Sequence, residues 1–153
     1  MYDRWKTGSY HKDLYREIET CNDLGPFVSV MDSTAWGGRA VRLATGPGRI
    51  FLRTEMPEWD DYMVWLRVRR EQPGEEQTAP SVSIAAANSS VAPPVESPHG
   101  WWWVNLGRFR LPEGIREWNI ELPAAPLLLD RVLFTTRTRF PIIEENPQGF
   151  GGG

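Results

Sequence analysis

The sequence of 153 residues holds one cysteine, Cys21, and two histidines, His11 and His99. A lone cysteine excludes an intrachain disulfide and a cysteine metal cluster. The histidines lie far apart, form no zinc-spaced cluster, and accompany no recognisable nucleophile motif. No apolar run approaches the roughly 18 residues of a membrane-spanning helix, so no span is expected. Formal net charge is −3, and the arginines are scattered along the chain rather than gathered in a tract. This argues against a general nucleic-acid binder, which needs a basic footprint to displace counterions. Met1–Lys6 is followed by no apolar stretch and does not read as a signal peptide. Neither Gly46-Pro47-Gly48 nor Gly151–Gly153 reads as a phosphate loop, since no Lys-Ser/Thr pair or helix start follows. Asp60-Asp61 and Glu144-Glu145 are adjacent in sequence. On a strand, adjacent carboxylates point to opposite faces, so no glycosidase pair is indicated and no enzyme is expected.

The chain is rich in turns and aromatics, with 13 Pro, 14 Gly and eight Trp. Frequent Pro and Gly leave little room for long helices, and surplus large aromatics mark recognition surfaces as well as cores. The clearest pattern is Asp60–Arg70. Tyr62, Val64, Leu66 and Val68 fall on one face of an extended strand; Met63, Trp65, Arg67 and Arg69 fall on the other. The first face reads as core. The second reads as an outer face. Further strands are expected at 15–20, 27–31, 39–44, 49–55, 81–87, 101–110, 117–122 and 127–136. Phe27–Met31 reads as buried on both faces, and the apolar run after Leu127 as a central strand. Strands 39–44 and 49–55 read as a hairpin across Gly46-Pro47-Gly48. Trp101–Arg110 reads as bent at Gly107, with Trp101, Trp103 and Asn105 on one face and Trp102, Val104 and Leu106 on the core face. The fold class is therefore all-β: a two-sheet antiparallel β-sandwich of about nine strands, a single domain over 15–139. Residues 1–14 read as an N-terminal arm and 140–153 as a Gly-rich C-terminal tail.

Five stretches, in order, resemble the calcium-containing, galactose-binding-like carbohydrate-binding modules built on a β-jelly roll. They are Glu17-Ile18-Glu19, Ser33–Val41 around Gly37-Gly38, Asp61–Val68, Trp103–Gly107 with Leu111–Gly114, and Leu129–Phe134. Trp36 departs from the pattern, standing where the family has a small residue. The resemblance covers roughly residues 15–140. It implies that the first and last strands lie side by side, and that Glu17, Glu19 and Asp130 contribute to a structural Ca²⁺, completed by carbonyls or water. The residues alone leave Asp130 open to pairing with an arginine instead.

Flat aromatic rings suit stacking on the C–H face of a sugar, and Asn and Arg suit its hydroxyls. The expected glycan-binding set is Trp36, Trp65, Arg67, Trp101, Trp103 and Asn105, on an outer sheet face or loop edge. Trp59 belongs to the same aromatic population. The expected function is non-catalytic binding of a glycan or polysaccharide by an extracellular or cell-surface module. A second reading is a structural subunit whose residues 1–14 and 140–153 join neighbouring copies into a homo-oligomer or filament.

Overall fold

The computed structural model describes residues 6–7, 12–17, 28–35, 38–43, 48–71, 83–84, 93–122 and 127–136. These residues contain eleven strands: β1 (Lys6–Thr7), β2 (Lys12–Glu17), β3 (Val28–Met31), β4 (Arg39–Leu43), β5 (Gly48–Met56), β6 (Asp60–Arg70), β7 (Ser83–Ile84), β8 (Val95–Glu96), β9 (Trp102–Leu111), β10 (Gly114–Leu122) and β11 (Leu127–Thr135). Each of the nine expected strands has a counterpart; the two-residue strands β1 and β8 are additional. The larger sheet runs β1-β2-β11-β6-β9-β8, with β4 also on β11 and β3 outside β4. The smaller sheet runs β5-β10-β7. The observed class is an all-β jelly-roll sandwich.

Strand β11 is central, as its apolar run requires. All nine of its residues are buried. Along one side it pairs with β6; along the other it pairs first with β4 through Leu127–Leu129 and then with β2 through Arg131–Thr135. The first and last long strands therefore do lie side by side. Tyr62, Val64, Leu66 and Val68 of β6 enter the main core with Leu129, Val132 and Phe134 of β11. Ile50, Leu52, Met56, Trp118, Ile120 and Leu122 approach from the smaller sheet. Trp102, Phe109 and Leu111 pack against its margin.

Two register shifts tie the sequence to the geometry. Val64 pairs with Gly107, but Trp65 pairs with Asn105, so β9 carries an extra residue at Leu106. Gly107 has φ +133°, a backbone state that a side chain strains. On β11 the shift falls between Leu129 and Val132. It reverses the alternation, so Leu129 and Val132 both face the core while Asp130 and Arg131 do not.

Three expectations are corrected. Strands 39–44 and 49–55 form no hairpin: β4 pairs with β3 and β11, whereas β5 pairs with β10 in the other sheet. Glycine and proline announce a change of direction but not which sheet receives the next strand; residues 44–47 lie outside the described set. Strand β3 is not buried on both faces, for Ser29 is exposed and Met31 is 77 % exposed. The strand expected from Tyr15 begins at Lys12, and Leu14 is core, so the sandwich starts inside the stretch read as an arm.

Candidate functional site

Strand alternation forces Arg67 and Arg69 onto the face of β6 that points away from the main core. There they meet two segments from distant parts of the chain. Ser97 precedes a short 3-10 turn over Pro98–Gly100, in which His99 and Gly100 adopt φ values of 65° and 82°. The Ser97 amide donates to the Trp101 carbonyl at 2.8 Å, closing that turn. The second segment is Asp32–Ala35. Asp32 Oδ1 accepts from the Thr34 amide at 2.8 Å and from the Thr34 hydroxyl at 2.6 Å. This is the local bonding that makes Asp and Thr good turn residues.

Arg67 joins these segments to the sheet. Its Nη1 donates to Asp130 Oδ2 at 2.7 Å and to the Thr34 carbonyl at 3.2 Å. Nε and Nη2 donate to the Ser97 hydroxyl at 3.3 and 3.1 Å. The guanidinium lies 4.7 Å from the centroid of the Trp101 ring, and that of Arg69 lies 5.8 Å away. Trp101 Nε1 donates to Thr34 Oγ1 at 2.8 Å. Arg69 Nη1 reaches Asp32 Oδ2 at 3.4 Å and Thr34 Oγ1 at 3.3 Å. Trp101 also packs with Ala35, Ala40 and Leu128 in a small apolar cluster. The arrangement is a buried polar knot with its charges matched and an indole as its wall.

Farther along the same face, Met63, Trp65, Trp103 and Leu133 form another cluster, with Tyr15 and Val95 at its edge. Tyr15 meets Trp103 edge-on at 6.5 Å between ring centroids. Asn105 Nδ2 donates to the Val64 carbonyl at 3.5 Å.

The structure thus brings together most of the expected binding set on the expected face, but not at the surface. Trp65, Arg67, Trp101, Trp103 and Asn105 are 0–2 % exposed, which corrects the expectation of an open outer face. For Arg67 and Trp101 the reason is direct: Thr34, Ser97 and Asp130 take up the guanidinium of Arg67, and Thr34 takes up the indole N–H of Trp101. Trp36 lies outside the described residues.

Asp130 follows the arginine alternative. Both side chains of its pair with Arg67 are 0 % exposed. A dication on Oδ2 would stand against a guanidinium in a buried site, so Asp130 does not fit a calcium ligand through that oxygen. Glu17 lies in β2 opposite Arg131, its side chain outside the described set, as is the whole of Glu19. No group of three metal-ligating side chains occurs among the described residues.

One feature escaped the sequence reading. The roles of Asp32, Thr34 and Ser97 depend on partners 30 or more residues away, for which local pattern holds no signal. Trp59, by contrast, is 60 % exposed, in agreement with the loop-edge place expected for the aromatic population it belongs to.

A scan of protein-family models finds no match to the chain, and neither does a search of curated proteins. Solved structures do match. The Podospora anserina GH26-CBM35 β-(1,4)-mannanase aligns with TM-score 0.61 and 18 % identity over 88 % of this chain and 30 % of its own. The C-terminal CBM6 of a marine laminarinase from Zobellia galactanivorans aligns with TM-score 0.58 and 12 % identity over 82 % of this chain and 99 % of its own. A CBM6 carbohydrate-binding module of Cellvibrio mixtus lichenase 5A, in complex with cellotriose, aligns with TM-score 0.56 and 14 % identity over 82 % and 97 %. The chain spans less than a third of the mannanase and nearly all of each isolated module. At these identities the likeness establishes the fold. No helix among the described residues is long and apolar enough to cross a membrane.

Proposed function

We propose that the chain is a non-catalytic carbohydrate-binding module of a secreted or cell-surface protein. The observation that carries this reading is extent: two modules that are carbohydrate-binding by name superpose over 99 % and 97 % of their length. The burial of Trp65, Arg67, Trp101, Trp103 and Asn105 assigns them a supporting role. Arg67 and Trp101 clamp Thr34, two positions before Trp36 in the sequence. Trp36 is the member of the expected set that we assign to ring stacking on sugar.

The test is calorimetry and affinity electrophoresis with cellotriose, a soluble β-glucan and a soluble β-(1,4)-mannan. Trp36→Ala is expected to lower affinity at unchanged melting temperature. Trp101→Ala is expected to lower both, since it opens a cavity and breaks the bond to Thr34, at a cost of about 3–5 kcal/mol. Wild-type protein that binds none of these glycans, nor any in a wider array, would remove the reading.

A further inference from the structure

We propose a second glycan-stacking surface at the Trp59 end of the sandwich, selective for neutral sugars. It rests on the carbohydrate-binding reading and adds a site apart from the one assigned to Trp36. Two crossovers between the sheets lie side by side here. Met56 pairs with Gly114 in the smaller sheet and Asp60 with Leu111 in the larger, so the turns at 57–59 and 112–113 are neighbours. Arg67, Arg69 and the polar knot belong to the other half of β6.

Trp59 at 60 % and Ile115 at 67 % are two of the large hydrophobics left exposed among the described residues, and both stand beside this pair of turns. The backbone that carries the indole is anchored on both sides. Tyr62 has its ring in the core and its hydroxyl donates to the Glu58 carbonyl, one residue before Trp59. The Asp61 amide donates to Asp60 Oδ1 at 2.8 Å, one residue after. A large apolar ring on a turn anchored on both sides is preorganised for stacking.

The charged groups at this end of β6 and β9 decide the occupant. Arg110 Nε and Nη2 donate to the two oxygens of Asp61 at 3.0 and 3.2 Å, and Arg108 Nη2 approaches at 3.5 Å. The arginine side chains remain 68 % and 52 % exposed, so donors are still presented to solvent. Carboxylates and guanidiniums suit sugar hydroxyls. Charged Glu58 and Asp60 directly flank the indole, whereas the centre of a protein interface is depleted of charge. The acids Glu58, Asp60, Asp61 and Glu113 outnumber Arg108 and Arg110. This balance repels polyuronates and phosphate chains and leaves neutral glycans.

The experiment compares wild type, Trp59→Ala, Trp59→Phe, Trp36→Ala and the Trp36→Ala/Trp59→Ala double variant. Probes are a soluble β-glucan, a soluble β-mannan and polygalacturonate, read by affinity electrophoresis and tryptophan fluorescence. Trp59→Ala is expected to weaken neutral-glycan binding about tenfold, one aromatic contact's worth. Binding that remains in Trp36→Ala should vanish in the double variant, with polygalacturonate unbound throughout. Trp59→Phe should stay within a few-fold of wild type; loss of binding there at unchanged melting temperature overturns the stacking role. Neutral-glycan binding by wild type that Trp59→Ala leaves intact overturns this inference and spares the function. Absence of glycan binding by wild type removes both. A wild-type dimer that Trp59→Ala dissolves, or a preference for polygalacturonate, also overturns the assignment.

Discussion

Arg67 and Asp130 lie 63 positions apart and form an ion pair of 2.7 Å with neither side chain exposed. Asp130 follows core-facing Leu129 by one position, so alternation turns it to the face of Arg67, and the bulge on β11 then returns Val132 to the core. Without the extra residue between Leu129 and Val132, the alternation would have to put either Leu129 or Val132 on the wrong side. Truncating one partner strands the other charge in a buried site, at about 3–5 kcal/mol. Asp130→Ala and Arg67→Ala should each lower the unfolding free energy extracted from urea titration by that amount. Replacing both with leucine should recover most of it, because matched apolar side chains need no counter-charge. A double variant as unstable as the sum of the singles would show that the pair acts through other partners, Ser97 and Thr34 foremost.

The same pair bears on calcium. Arg67 already supplies Asp130 with a positive charge, so melting temperature is expected to be unchanged by EDTA or by millimolar Ca²⁺. A bound ion would instead stabilise the fold by mass action, about 2.7 kcal/mol at a hundredfold excess over Kd. Scanning calorimetry separates the cases. A calcium response that survives in Asp130→Asn would place the ion at Glu17 and Glu19; a response lost in that variant would restore Asp130 as a ligand.

How far the sequence reaches depends on the range of the interaction. Alternation from Tyr62 to Val68 announced both faces of β6, and the apolar run from Leu127 announced the central strand, because burial acts on each residue locally. Gly107 marked the bend in β9 through its backbone freedom. The bulge at Asp130 and Arg131 carries no glycine and no composition change, so the reversal of faces there was hidden. Burial of Trp65, Trp101 and Trp103 was hidden for a related reason. Two-period alternation tells that a side chain leaves one face; it does not tell whether another segment covers the opposite face. Thr34 shows the limit: it serves Asp32 two residues away and Trp101 67 residues away, and only the first bond is local.

Asp61 gives a pH dependence. Hydrogen bonding from Arg110, with its charge and that of Arg108, holds the Asp61 carboxyl below the ordinary carboxylate range, against a smaller opposing effect of burial. The folded-state value is depressed. Its contribution is therefore present above the unfolded carboxylate range and is lost as pH falls through the lowered value. Exposure to solvent keeps the effect small. In Asp61→Asn the acid limb of the melting-temperature profile should flatten below about pH 4, with little change at pH 7. An unaltered acid limb would assign acid sensitivity to other carboxylates.

Self-association turns on the margin of the smaller sheet. Strand β5 is an outer strand of that sheet among the described residues, and outer strands offer backbone groups to other chains. Arg16, from β2 of the larger sheet, reaches across and donates from Nη1 to the Arg53 carbonyl at 2.7 Å. The Arg53 guanidinium in turn meets Glu117 at 3.0 Å. Charged side chains of this kind blunt an edge, and they count against strand addition at β5 as a route to filaments. Wild-type protein is therefore expected to stay monomeric at β5, while Arg16→Ala, which releases the Arg53 carbonyl, should raise the average mass in light scattering at high concentration. An Arg16→Lys control keeps the charge but reaches differently, and should fall between the two. Filaments of wild-type protein that disappear when residues 140–153 are removed would reverse this expectation and support assembly through the tail.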